Sequence, residues 1–270
     1  MKLAAAFGLA LALAASPAAA KPRVASINVC TDQLVLALAD DDQIVSLSVS
    51  AESPVASFHA DRARALGRPL VRGDAEDALL LRPDLVLTGA WDYAVRQSLS
   101  RFGVRAEGFD DPVTLDDVAA QFRRAGDLLE QPERAERRIA ELAAARARAR
   151  LHPAAGERVV LYYTGGYTYG TGTLMDAVLS ELGAVNLAAA NGVTGVGRLD
   201  LETLVADRPT RILSDSTIAG RAPRIDTQLL RHPALARAMP GIAPTPYPLR
   251  YWICGASAAA ALDFLGAHLR

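Results

Sequence analysis

The sequence predicts an α/β protein of two pseudo-symmetric lobes, each on a central parallel-type sheet, joined by one long helix. Three observations carry this. Short apolar runs alternate with amphipathic stretches, the pattern of β-α-β units. A helix–proline–strand segment occurs twice, 126 positions apart. Between the copies lies a stretch, 114–150, rich in Ala, Arg and Glu and containing a single proline.

In chain order, the first segment is a targeting signal. Lys2 supplies a positive start, 3–15 is an apolar run, and Ala18-Ala19-Ala20 offers the small residues a signal peptidase needs. The run is too short to span a bilayer comfortably, and no cysteine follows it for lipidation. Cleavage after residue 20 of 270 leaves a mature chain of 250 that is exported and soluble, in the periplasm. Within the N-terminal lobe, 21–113, RVASIN (23–28) and QIVSLS (43–48) read as strands with a helix at 32–39 between them. DLVLT (84–88) is a third strand, 91–101 a helix and 105–109 a strand. The repeat consists of EDALLLRPDLVLT at 76–88 and ETLVADRPTRILS at 202–214. In each copy a Glu opens a short helix, Arg-Pro breaks it, and an apolar strand follows. An Arg-initiated strand precedes each copy, at 23–28 and 158–163. That places a C-terminal lobe of like topology at 153–270. The linking helices, 114–152, carry Leu115, Val118, Phe122 and Leu128 at helical spacing, then Pro132 and a strongly helix-forming run. A flexible crossover would be rich in Gly, Ser or Pro, so this one is a stiff strut that allows little lobe motion.

Composition removes several classes of function. Lys and Arg number 29 against 30 Asp and Glu, so no net field draws nucleic acid. With 51% hydrophobic and 22% charged residues the chain is neither disordered nor fibrous. Two Cys and four His give neither a zinc cluster nor a dense disulfide framework, and no metal site is expected. No Ser lies in G-x-S-x-G and no His pair has metal spacing, so no catalytic residues are assigned. Asp110-Asp111 reads as an N-terminal cap for the following helix.

Ligands of open α/β sheets bind beyond the carboxyl ends of the strands. The loops at those ends hold Trp91, Tyr93, Tyr163, Tyr167, Tyr169, Tyr251 and Trp252, with Arg250 beside the last pair. Phe102, Phe122 and Phe264 read as core. Aromatics facing a cleft suit a large, partly flat ligand, although some could simply cover sheet edges. His59 is the one histidine in a candidate cleft loop. GGYTYGTGTL (165–174) lacks the third glycine of a dinucleotide loop and reads as a Tyr-bearing ligand loop whose glycines allow close backbone approach. Cys30 and Cys254 both lie at strand ends facing the cleft. An exported protein with two cysteines favours a disulfide between them, with free buried thiols and then soft ligation of a metal centre in the cargo as alternatives.

The opening RVASINVCTDQLVLALADDDQIVSLS resembles the start of bacterial periplasmic binding proteins for ferric siderophores, haem and cobalamin, which feed ABC importers. RPDLVLTGAW, the RPTRIL repeat and the terminal strand–Trp–helix fit the same pattern across the mature chain. Asn28–Asp32 and the Trp252-Ile253-Cys254-Gly255 stretch depart from the usual Ser/Pro-rich opening and leave the cargo unnamed. The resemblance implies two α/β lobes on one long helix and a monomer with no intrinsic cofactor. It also implies a metal-chelate or tetrapyrrole cargo, and a Glu on each lobe, Glu76 and Glu202, that docks on arginines of the permease. The expected function is delivery of an iron chelate, haem or a corrinoid such as cobalamin. The alternative is an exported α/β enzyme acting on a bulky aromatic or metal-chelate substrate, which turnover of a candidate cargo would reveal.

Overall fold

The computed structural model describes residues 20–215, 233–238, 240–242, 244–252 and 254–269. The signal segment lies outside them except for Ala20, and so does the strand-end loop after Asp215. Among the described residues no helix is long and apolar enough to cross a membrane.

The strands carry apolar side chains on both faces, as a parallel sheet covered by helices on both sides requires. In the first lobe, β1 (Val24–Ser26), β2 (Ile44–Ser48), β3 (Leu70–Val71), β4 (Leu85–Gly89) and β5 (Arg105–Phe109) form a parallel sheet in the order β3-β2-β1-β4-β5. In the second, β6 (Arg158–Leu161), β8 (Val185–Asn186), β10 (Arg211–Asp215) and β11 (Thr245–Tyr247) are parallel in the order β11-β10-β6-β8. Strands β7 (Tyr167–Tyr169) and β9 (Val196–Arg198) make a separate antiparallel ribbon. The order β2-β1-β4-β5 thus recurs as β8-β6-β10-β11, so the lobes share a topology.

The repeat extends to single atoms. Helices α3 (Ala75–Leu80) and α9 (Leu201–Asp207) both precede an arginine with positive φ, Arg82 at 49° and Arg208 at 47°, each followed by proline. The left-handed residue ends the helix and the proline forbids its continuation. The carbonyls left open there are taken by the arginine that starts the neighbouring strand. Arg23 donates to the Leu81 and Arg82 oxygens at 3.2 and 2.7 Å, and Arg158 to the Asp207 oxygen at 2.9 Å. The residue after each proline then accepts that arginine's backbone N–H, Asp84 and Thr210 both at 2.8 Å.

The stretch read as a strut is a helical hairpin, α5 (Leu115–Leu128) and α6 (Pro132–Leu151), broken at Leu129–Gln131. Thr114, not Asp110-Asp111, caps α5, through a reciprocal Thr114–Asp117 box at 3.0 and 2.8 Å. The two helices touch closely at Gly126, where a Cβ would lie 2.5 Å from that of Ala135. Only α6 joins the lobes, and at 20 residues it is about 30 Å long. Its start is tied to the first lobe by Arg134–Asp40 and by Gln131 donating to Gln43 at 2.7 Å. Its end is tied to the second lobe by Arg150–Glu181 at 2.6 Å and Arg148–Asp263 at 2.8 Å.

The remaining helices of the first lobe are α1 (Val29–Leu38), α2 (Ala60–Leu66) and α4 (Tyr93–Arg101). Those of the second are α7 (Leu174–Glu181), α8 (Leu187–Ala190), α10 (Pro233–Ala238) and α11 (Ala258–His268). One apolar cluster runs through both lobes, from Val24, Leu47 and Leu85 through Phe122 and Leu142 to Leu161, Trp252 and Leu262. The outer sheet faces have their own clusters, around Ala25, Val86 and Leu99 in one lobe and Val160, Tyr162 and Ile212 in the other. Consecutive strand residues alternate between clusters, the period of two that strands impose. Phe122 is buried and Phe264 half-buried, but Phe102 is exposed rather than core, because it caps the frayed end of α4.

Two links cross between the lobes at their strand ends. Cys30 and Cys254 form a disulfide with Cα atoms 5.1 Å apart. The Arg250 guanidinium donates to the Pro54 carbonyl at 3.1 Å. Thiol labelling of the exported protein under denaturing, non-reducing conditions should therefore find no free cysteine. Two labelled thiols would remove the bridge from the native molecule.

Candidate functional site

The site begins with residues 28–33, which follow β1. Asn28 caps α1, its side-chain oxygen accepting the Cys30 N–H at 2.8 Å. Cys30 carries the bridge to the other lobe. The Thr31 hydroxyl contacts Ser26 Oγ at 2.8 Å and donates to the Leu87 carbonyl at 3.2 Å, tying α1 to β1 and β4. Asp32 accepts the Ser48 N–H at 3.0 Å and its hydroxyl at 2.5 Å, fixing the end of β2. Gln33 donates to Ser57 Oγ at 3.0 Å and accepts the His59 N–H at 3.0 Å, fixing the loop that follows. A single turn of helix thus holds three strand-end loops and one covalent link.

Both interlobe links join loops at carboxyl ends of strands and so bring those ends together. On the first lobe, Trp91 and Tyr93 stand at the end of β4, 57% and 67% exposed. The Trp91 ring lies so close over Gly89 that a Cβ there would come within 2.4 Å of it. On the second lobe, Trp252 is wedged edge-on between Tyr163 and Tyr169, with centroids at 5.4 and 4.8 Å. That T-shaped arrangement suits aromatic quadrupoles. Trp252 is 8% exposed and its indole N–H has no partner among the described residues, so it backs the wall while the half-buried tyrosines front it. Burial pushes the Tyr169 hydroxyl up to about 12, so it stays protonated at neutral pH.

Tyr251 belongs to a second group. It packs on Phe58 of the first lobe at 5.9 Å and on Phe264 at 5.4 Å, with Arg250 over its face at 5.2 Å. Arg250 and Tyr251 therefore hold the lobes together, a use that strand-end position alone does not reveal. Phe58 escapes the sequence reading because its loop carries no apolar periodicity.

The glycine-rich segment is not a loop throughout. Tyr167–Tyr169 is strand β7, paired with β9, and Tyr167 is exposed beneath the Arg198 guanidinium at 5.4 Å. A Cβ on Gly170 would sit 1.8 Å from the Val193 carbonyl, so that glycine permits chain to approach chain rather than ligand. His59 lines a separate cavity with Arg138 and Phe122. Burial, then Arg138 and Arg62, push its pKa down to about 4, leaving it neutral. Glu76 and Glu202 are both exposed and both the second residue of their helices, α3 and α9, at equivalent places on the outer faces.

The chain matches the family model described as "Periplasmic binding protein" over residues 24–240. Among solved structures, the periplasmic heme-binding protein RhuT from Roseiflexus sp. RS-1 is 25% identical, with a TM-score of 0.70 over 93% of this chain and 98% of that one. The periplasmic heme-binding protein HutB of Vibrio cholerae is 18% identical, with a TM-score of 0.75 over 92% and 98%. A protein of an ABC-type Fe3+-hydroxamate transport system from Saccharomonospora viridis is 19% identical, with a TM-score of 0.64 over 92% and 93%. The latter two likenesses bear on the fold. No curated protein matches the sequence.

The floor of the site carries a pH signature. Burial raises the Asp32 carboxyl from 3.8 to about 6, against the opposing pull of the Ser26 and Ser48 hydrogen bonds. The native state then holds this proton more tightly than the unfolded chain. Stability is full below about 4 and falls as pH rises through about 6, by roughly 3 kcal/mol. Asp32→Asn should flatten this slope in unfolding midpoints measured from about pH 4 to 7. An unchanged slope in the variant would acquit the carboxylate.

Proposed function

The chain belongs to the family of periplasmic binding proteins, and from that premise we propose that it captures one metal chelate of the haem, corrinoid or ferric-siderophore class in the interlobe cleft. It hands that cargo unchanged to an ABC importer and performs no catalysis on it. The observation that carries this reading is the placing of aromatic rings at facing strand ends. Exposed Trp91 and Tyr93 stand on one lobe, and Tyr163 and Tyr169 over Trp252 on the other. Large rigid rings make wide contact with a flat ligand at small entropic cost. Within the class, the haem-binding protein from Roseiflexus favours a tetrapyrrole.

Calorimetry with haem, cobalamin and a ferric hydroxamate separates the cargoes and tests the site. Trp91→Ala and Tyr93→Ala should leave stability within about 0.5 kcal/mol, as exposed residues do. Each should weaken binding by about 1 kcal/mol or more, a value typical of an aromatic anchor. Trp252→Ala should weaken binding too, but with a stability loss of about 3–5 kcal/mol, since it leaves a hole behind the wall. If none of the three alters affinity, the cargo sits elsewhere.

Glu76 and Glu202 are proposed to dock on permease arginines. Their equivalent places on two lobes of one topology put a carboxylate on each side of the cleft. Such a group meets a guanidinium through charge-assisted contacts, and a rim charge sets orientation and encounter more than affinity. Glu76→Lys with Glu202→Lys should abolish transport in proteoliposomes while the cargo dissociation constant stays within about twofold. Normal transport by the double variant would remove the docking role, and loss of cargo binding would place both residues in the site.

A further inference from the structure

Away from the aromatic residues of the candidate site, the molecule has an open cavity at the junction of the lobes. It is a cavity of about 360 Å3 walled by the end of α1, by Phe58 and His59, and by α5, α6 and α11. No tyrosine or tryptophan lines it. Phe58, Phe122, Leu142 and Ala259 give it apolar walls, and Arg138, Glu141, Arg148 and Asp263 give it charged ones. Through Ala37, Arg138 and Glu141 it adjoins a groove of about 320 Å3 whose remaining walls are Arg62, Arg134 and Arg137.

That groove sets four arginines against one glutamate, and they are not equally committed. Arg62 is paired with Asp41 at 2.7 Å and also donates to carbonyls at the end of α1. Arg134 is likewise taken by Asp40 and the Leu38 carbonyl. Arg137 makes no ion pair with any described residue. Arg138 pairs with Glu141 at 2.8 Å, three residues along an exposed helix face, which is the weak kind of pair an incoming anion can replace. On the opposite rim, Asp263 holds Arg148 through two contacts at 2.8 and 3.0 Å. Burial first, and then Arg138 and Arg62, keep His59 neutral, so it adds no charge to the wall. Apolar walls beside Arg137, which has no ion pair among the described residues, and Arg138, held only by Glu141, match an amphiphile with one negative head.

We infer that this junction cavity is a second ligand site, taking a single-chain or single-ring organic carboxylate. The apolar body lies against Phe58, Phe122 and Leu142, and the carboxylate meets Arg137 and Arg138. A volume of about 360 Å3 has room for one small hydrocarbon body beside the two arginines.

Titration with octanoate, followed by calorimetry and by the His59 ring signals in NMR, tests this on the intact mature protein. Binding should be saturable, one per chain, and should shift the His59 resonances, which His59→Gln identifies by their disappearance. Arg137→Glu with Arg138→Glu should weaken octanoate at least tenfold. Ala259→Phe, which fills the chamber from α11, should do the same through volume alone. Uncharged 1-octanol should bind at least fivefold more weakly than octanoate. The site is overturned if octanoate does not saturate, if both variants bind it as the wild type does, or if octanol binds equally well. Sedimentation with phosphatidylglycerol vesicles in the absence of octanoate binding would equally overturn it, assigning the arginine wall to a membrane surface.

Discussion

The site depends on where the first turn of α1 is held. Five side chains, Asn28 and Cys30 through Gln33, bind that turn to β1, β2, β4, the loop before α2 and the opposite lobe. A buried polar group without partners would be costly there, so each must find one, and the partners it finds are the strand-end loops. The same satisfaction of polar groups that makes the turn affordable sets the loops of the cleft floor. Asp32 is the extreme case. It is fully buried, and two contacts from Ser48 leave it still carrying a desolvation cost that raises its pKa.

From that turn outward the second lobe follows a repeated plan. The pairing of Arg23 with the end of α3 and of Arg158 with the end of α9 is one device used twice. Each arginine takes the open carbonyls of a helix end and ties its strand to the next one in the sheet. The duplication places Glu76 and Glu202 in register without either being in contact with the other lobe. It also leaves the ends of both sheets free to specialise, and the lobes do differ there. The second adds the β7–β9 ribbon and presents tyrosines in front of Trp252, while the first leaves Trp91 and Tyr93 bare.

The parts legible in the sequence were those governed by local rules. Arg-Pro followed by an apolar run marks a helix end and a strand start wherever it falls, so both copies of the repeat could be seen. The alternation around β1, β2, β4 and β5 was equally plain. What escaped was decided by neighbours distant in sequence. Tyr251 and Arg250 sit at a strand end and looked like ligand contacts, yet they pack on Phe58 and Pro54 across the lobes. Gly170 looked open to a ligand, but Val193 fills the space. His59 falls beside a different cavity because Gln33 fixes its backbone. Phe102 had the hydrophobicity of a core residue and lies at a helix end in solvent. None of these placements leaves a periodicity or a spacing to read.

Three kinds of link between the lobes act on the same degree of freedom. The disulfide and the Arg250–Pro54 bond fix the cleft side, α6 fixes the junction, and a single apolar cluster fills the space between them. Opening the lobes as rigid bodies would have to part Trp252 and Leu262 from Phe122 and Leu142, exposing apolar surface at about 25 cal/mol for each Å2. Under the proposed function, cargo recognition then falls to a cleft whose width is set during folding, and adaptation to side chains and loops at its rim. Trp91 and Tyr93 meet that need, being exposed and on the first turn around α4, whereas Trp252 behind its tyrosines does not. The aromatic difference between the lobes is therefore a division of labour, one wall fixed by packing and the other able to settle on the ligand.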